Sequence, residues 1–388
     1  MRVAFVVQRY GAEAFGGSEL HCRQIAERLA ARHQVVVYTS CAKDYLSWRN
    51  EYPAGRARAG PLEVHRFPVA EERDLEAFNR LSEQVFAATN SDEREEEWLR
   101  KQGPFVPQLV RHLGKHYREH DAFIFFTILY FPCVKGLEAV PWRRILVPTA
   151  HDEPALRLRI YERALERPET ILYNSPWEER FLRRRCPGLK AHGELGGVGV
   201  ELPSAPPAGP PPVEGSYVLA GGRIEPGKGF AELLEFFRAF SAARGGRLKL
   251  VLIGQQLMPL PEDPSIAYLG FVDETVKHAL LAHARAVLIP SPFESLSMLL
   301  LEAFAHRRPV LVNATCEVLV DHCVRSGGGL FYADAEEFGL ALERILSDPE
   351  LAAAMGQGGR AYVAQHYTWP RIESAYERIL TTFGLVPD

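Results

Sequence analysis

Residues 217–237 read YVLAGGRIEPGKGFAELLEFF. An apolar run opens the stretch. A turn with four glycines follows, carrying Arg223 and Lys228, and a helix starts near Gly229. Strand, glycine turn and helix in that order are half of a βαβ unit, which implies an α/β chain with a mostly parallel sheet. Backbone N–H groups at the start of such a helix favour an anion. Two cations in the same turn suit a multiply charged anion, with a diphosphate as the natural case. The bland alternative is a tight turn whose glycines serve geometry and whose cations face solvent.

The turn is close to a phosphate-binding P-loop: Gly222, four residues, Gly227 and Lys228. A P-loop needs Ser or Thr next, to hold Mg²⁺, and here the residue is Gly229. A nucleoside triphosphatase therefore lacks its metal ligand.

The same grammar extends on both sides. Downstream, RLKLVLIG (247–254), IAYLG (266–270), AVLIP (286–290) and PVLVN (309–313) are candidate strands with helical patterns between them. Upstream, VAFVV (3–7), VVVYT (35–39), LEVHRF (62–67), AFIFF (122–126), ILVPT (145–149) and TILYN (170–174) form a second set. The segment 201–215, ELPSAPPAGPPPVEG, is too rich in proline for regular structure and reads as a linker. The organisation expected is an N-terminal Rossmann-like domain over 1–200 and a C-terminal one over 216–368. A final helix over 369–388 then returns toward the first domain. Residues 71–120 interrupt the first domain. Their charge and helical composition suggest a solvated helical pair, with a lid or acceptor-binding insertion as the alternative.

A further stretch, PSPFESLSMLLLEAFAHRRPVLV (290–312), carries two carboxylates eight positions apart. Glu294 falls in the turn after a strand, at the carboxyl end of the sheet where open α/β folds hold ligands. Glu302 is embedded in a run of Leu, Ala and Phe. A buried carboxylate needs a partner. A vicinal diol suits it, since a carboxylate accepts from two hydroxyls at once. Arg307 or Arg308 could also serve as the partner.

These residues resemble a known family, the GT-B glycosyltransferases, and within them the large retaining family 4. Gly222, Arg223, Lys228 and Gly229 match its GR-xxxx-KG motif. Glu294 and Glu302 match its E-x7-E motif, and Gly16, Gly17 and Glu19 match its GG-x-E loop. The resemblance runs over essentially the whole chain. It implies two Rossmann-like doubly wound domains facing a cleft. It implies transfer of a sugar, with retention, from a UDP- or GDP-sugar to an acceptor hydroxyl. The setting would be polysaccharide, glycolipid or cell-surface glycan synthesis, with a glycan, a lipid-linked oligosaccharide or a small molecule as acceptor. Arg223 and Lys228 would hold the diphosphate and Glu302 the ribose. Glu294 would contact the transferred sugar. Gly17, Gly222 and backbone amides around Ser297, Met298 and Leu299 would line the donor. Phe271 and Val272 would seat the base. His151, after a first-domain strand, would contact the reaction centre, with Asp152 and Glu19 on the acceptor side. No cofactor or metal is implied. Two departures fall where the donor sugar would sit. Ser295-Leu296-Ser297 replaces a Gly-aromatic-Gly stretch, and Ala314-Thr315-Cys316-Glu317 replaces a loop of small residues. Donor identity is therefore open.

Composition sets the outer limits. The 388 residues suit two domains. With 47% hydrophobic and 24% charged residues the chain is globular. A net charge of −4 gives no pull toward nucleic acid. Six scattered cysteines, none in a CxxC pair, fit reduced thiols in a cytoplasmic protein. The first apolar run is too short for a signal peptide, and no segment has the roughly 18 unbroken apolar residues that span a bilayer. Peripheral contact with the inner membrane face remains compatible. The run SPWEERFLRRRC (175–186) reads as a capped helix ending in cations, with a patch for a lipid phosphate as the sharper alternative. Two other functions stay open: a nucleotide-sugar epimerase on the same architecture, and a P-loop nucleotide-binding protein.

Overall fold

A computed structural model of the chain describes all residues except 15, 206–208 and 386–388. By internal packing the chain divides into two units. Unit 1 comprises Met1–Val198 and Ile372–Asp388, and unit 2 comprises Gly199–Arg371. Residues 206–208 of the proline-rich segment lie outside the described residues.

Unit 1 is built on eight strands: β1 (Arg2–Val6), β2 (Gln34–Ser40), β3 (Gly55–Ala59), β4 (Leu62–Phe67), β5 (Ala122–Phe126), β6 (Arg144–Val147), β7 (Thr170–Tyr173) and β8 (His192–Leu195). Their order is β3-β4-β2-β1-β5-β6-β7-β8. All neighbours are parallel except β3 and β4. The central strands are apolar throughout because helices cover both faces, and β5, AFIFF, is buried at every position. β3 (GRARA) and β8 (HGEL) were not among the candidate strands. They are edge strands, partly exposed and rich in polar residues, so they carry no apolar run.

The insertion at 71–120 holds three helices: Leu75–Phe86 and Asp92–Gln102, the pair expected from the charged stretch 71–101, and then Pro107–His116. Trp98 and Leu99 of the second are buried, which is why it packs rather than standing in solvent. The buried Glu95 accepts from the Ile160 amide at 2.8 Å and so holds the start of the helix Arg159–Leu165.

Among the described residues unit 2 has six parallel strands: β9 (Ser216–Ile224), β10 (Leu248–Gln256), β11 (Ile266–Gly270), β12 (Val287–Ile289), β13 (Val310–Asn313) and β14 (Gly329–Tyr332). The order is β11-β10-β9-β12-β13-β14. The chain therefore adds strands on one side of β9, then crosses to the other. The gap beyond the carboxyl ends of β9 and β12 is the point where such sheets bind ligands. Val218, Leu250, Leu288 and Leu311 from four strands pack with Leu233 and Phe237 in the core beneath.

The helix Trp369–Leu385 closes the chain. Along unit 1 its Glu373 pairs with Arg28 at 3.1 Å, Glu377 with His33 at 2.9 Å and Arg378 with Glu194 at 2.7 Å. All six cysteines are free thiols and buried. Among the described residues no helix is long and apolar enough to cross a membrane.

Candidate active site

In unit 2 the phosphate-type turn sits at the switch point between β9 and β12. β9 continues beyond Gly221, where the apolar run stops, because residues 254–256 of β10 pair with 222–224. Arg223 thus lies on the strand's last residues, its Nη2 3.3 Å from Glu225 Oε1. Residues Pro226–Lys228 make one tight turn, and the helix Phe230–Ala242 starts after Gly229. Gly229 has φ of 74°, and a Cβ there would stand 2.2 Å from the carbonyl oxygen of Pro290. The turn's backbone lies directly against the end of β12, an approach open only to glycine.

That contact brings the loop after β12 to the turn. Lys228 Nζ donates to Glu294 Oε1 at 2.9 Å and to the Phe293 carbonyl at 3.2 Å. Ser297 has φ of 70°, uncommon outside glycine, and its Oγ accepts from the Leu300 amide at 3.4 Å. It caps the helix Met298–Ala305, so the amides of Met298 and Leu299 head a helix whose first N–H groups lack intrahelical acceptors. Cys316, from the loop after β13, lies beside Glu294, and burial pushes its thiol up to about 11.

Glu302 sits one turn further along. Its Oε1 accepts from Lys277 Nζ at 2.8 Å. The two side chains are 23% and 19% exposed. Burial raises the Glu302 carboxyl above its ordinary value, and Lys277 opposes the rise. The partner is neither Arg307 nor Arg308. Arg308 instead bonds the carbonyls of His306 and Ala284. Lys277 is the site residue that sequence reading missed. It lies on the helix Glu274–His283, entered from the loop that holds Phe271 and Val272. Phe271 is 62% exposed there, an unusual place for a phenyl ring.

In unit 1 the predicted residues fall in two places at the carboxyl side of the sheet, a helix start and a loop. After β1, Gly17 opens the helix Gly17–Leu29 with nothing within 4 Å of where a Cβ would be. Glu19 is buried, and Oε1 accepts from Arg9 Nε (2.9 Å), Arg9 Nη2 (2.6 Å) and Gln8 Nε2 (2.9 Å). Its Oε2 accepts from Ser18 Oγ at 2.9 Å. Glu19 therefore fixes the turn between β1 and the helix. After β6, His151 Nδ1 lies 3.5 Å from Glu153 Oε1. Burial, then the neighbouring Asp152 charge, pushes Glu153 up to about 8. Asp152 itself is exposed, 3.7 Å from Arg157. Glu153 had no mark in the sequence. Its role comes from burial, which no motif signals.

Residues 215–348 match the family model described as Glycosyl transferases group 1. Unit 2 carries a group 1 glycosyl transferase domain. A trehalose synthase from Rubrobacter xylanophilus is 26% identical over 177 residues, which are 41% of this chain and 42% of that protein. The match thus spans less than half of that relative. Sucrose-phosphate synthase from Thermosynechococcus elongatus superposes with a TM-score of 0.71 at 19% identity, covering 99% of both chains. HepE of Anabaena, solved with UDP, gives 0.69 at 14% identity over 98% of this chain and all of that one. The architecture is the GT-B fold of these glycosyltransferases.

Proposed function

We propose that the chain is a retaining glycosyltransferase that moves a sugar from a nucleoside diphosphate sugar, a UDP-sugar first, to an acceptor hydroxyl. One observation carries the reading. The glycine turn with Arg223 and Lys228, the Glu294 loop and the capped helix start at Ser297 meet at one switch point, within a group 1 glycosyl transferase domain. UDP is favoured over GDP because similarly folded enzymes were solved with UDP and with UDP-glucose.

In this reading Arg223 and Lys228 take the diphosphate and stabilise it as the leaving group gains charge. Gly222 and the amides of Met298 and Leu299 admit the donor backbone-close. Lys228 is the hinge of the arrangement: its bond to Glu294 sets the carboxylate that meets the transferred sugar's hydroxyls. Glu302 accepts from the ribose, and Phe271 and Val272 flank the base. To unit 1 the reading assigns the acceptor, with His151 near the reacting carbon and Asp152 and Glu19 beside the acceptor. With no protein nucleophile in the scheme, the leaving phosphate takes the acceptor proton as the new bond forms on the same face. The scheme asks for no metal.

The test is thermal stabilisation by UDP, GDP, ADP, CMP and ATP, each with EDTA and with Mg²⁺. Ligand that binds only the native state raises the melting temperature. A shift with UDP in EDTA, lost in an R223A/K228A double variant, is the expected result. A shift with ATP and Mg²⁺ alone would overturn the assignment. Conversion of a UDP-sugar to its epimer without any acceptor would replace transfer by epimerisation.

A further inference from the structure

Arg66 lies near the carboxyl end of β4, where Leu62, Val64 and Arg66 share the buried face. It is 8% exposed. Arg9, buried to a similar degree, holds Glu19 at 2.6 Å. Arg66 has no such partner: among the described residues no carboxylate lies within ion-pair distance of it, and its buried Nε has no hydrogen-bond acceptor. Its Nη2 donates to the Tyr10 carbonyl at 3.2 Å. The Tyr52 ring lies 4.4 Å from the guanidinium carbon and covers a face of the fork.

A guanidinium taken out of water calls for an anion. With a face stacked on Tyr52, the in-plane N–H edge is left to make the bonds, which is the geometry that grips a phosphate or carboxylate. The surroundings are the loops that follow β1 and β2. Lys43 Nζ also lies over the Tyr52 ring, at 4.8 Å, and is paired with the exposed Glu13. Arg9 Nη1 donates to the Lys43 carbonyl at 2.6 Å, which ties this corner to the Glu19 turn. Cys41 adjoins, its thiol raised by burial and lowered by the Arg66 charge. Arg9 and Lys43 are thus each paired, and Arg66 is, among the described residues, the cation left without a carboxylate at the carboxyl ends of β1, β2 and β4, on the side of the sheet where ligands bind.

We infer that Arg66 binds an oxyanion carried by the acceptor, so that the acceptor is an anionic small molecule, a phosphorylated or carboxylated sugar. The inference rests on the glycosyltransferase reading only in calling the ligand an acceptor.

Calorimetric titration of the full chain tests it, with inorganic phosphate, glucose 6-phosphate, glucuronate and glucose as probes and UDP as a separate titrant. Wild type should bind at least one anionic probe more tightly than glucose, and phosphate against glucuronate tells which oxyanion fits. Arg66→Met should weaken that binding about 10- to 100-fold, the usual effect of losing hydrogen bonds to a charged group. Arg66→Lys should fall between, since an ammonium cannot fork, and it carries the comparison if the methionine variant does not fold. UDP should bind all three alike. Absence of anion binding by wild type, or equal binding by the variants, would overturn the inference. Arg66-dependent anion binding with no UDP binding at all would instead sink the glycosyltransferase reading and leave the oxyanion site standing.

Discussion

Glu302 is followed by the buried Ala303 and Phe304 and preceded by the buried Leu301, and Lys277 opposes the rise that burial imposes on its carboxyl there. Sequence reading found the carboxylate and its need for a partner, but not the partner. Lys277 lies 25 positions away on another helix, and nothing local announces that pairing. Lys277→Met should destabilise the protein by about 1–3 kcal/mol, the cost of a buried charge left without its counterpart. The loss should depend on pH. The folded-state pKa of Glu302 is raised by burial. Its contribution is therefore present below the ordinary carboxylate range and fades as pH rises through the folded value. Without Lys277 the folded value rises further, so the variant should lose more melting temperature at pH 8 than at pH 5. A Lys277→Met/Glu302→Gln double variant should recover most of the loss. Melting temperatures equal to wild type at both pH values would show that the pair is ornamental.

At the scale of elements, strands were legible where they form an unbroken apolar run: AFIFF, buried at every position, and IAYLG, at the sheet edge and partly exposed, coincide with β5 and β11. β3 and β8 are polar edge strands with no such run, and β14, GLFY, is a four-residue run directly behind Gly327 and Gly328 that escaped notice with them. The Ser175 cap was also readable: its Oγ accepts from the Glu178 amide at 3.1 Å. The capping box was readable only in part. Glu178 does not turn back to its own cap but accepts from the amides of Asn174 and Ala150. It thereby joins the tips of β7 and β6, one residue before His151. Glu178→Ala would strand two amides in a fully buried place and should cost about 2–4 kcal/mol in urea unfolding. A change under about 0.5 kcal/mol, the usual scale of a surface substitution, would show that the two tips hold without it.

Across the whole molecule, burial sets two opposed titrations. His21, His120, His306 and His322 are buried, and burial pushes each from 6.5 down to about 4. Their contribution is present above 6.5 and is lost as pH falls toward 4. Glu153 and Glu178 are pushed by burial from 4.5 up to about 8. Theirs is present below 4.5 and is lost as pH rises toward 8. Below 6.5 the four histidines outnumber Glu153, Glu178 and the likewise raised Glu302, and above it the carboxyls act alone. Stability should therefore peak near pH 6.5. Thermal unfolding across pH 5 to 9 checks it, and a steady rise through that range would refute it. The helix that closes the chain has a consequence of another kind. Its residues from Ile372 onward belong with Met1–Val198, although Gly199–Arg371 stand between them in the chain. On the ribosome, where folding proceeds from the N-terminus, unit 2 has all its residues before unit 1 does. Until the helix Trp369–Leu385 emerges, the bonds of Arg28 to Glu373, His33 to Glu377 and Glu194 to Arg378 cannot form. The first domain to be translated is the last to be finished.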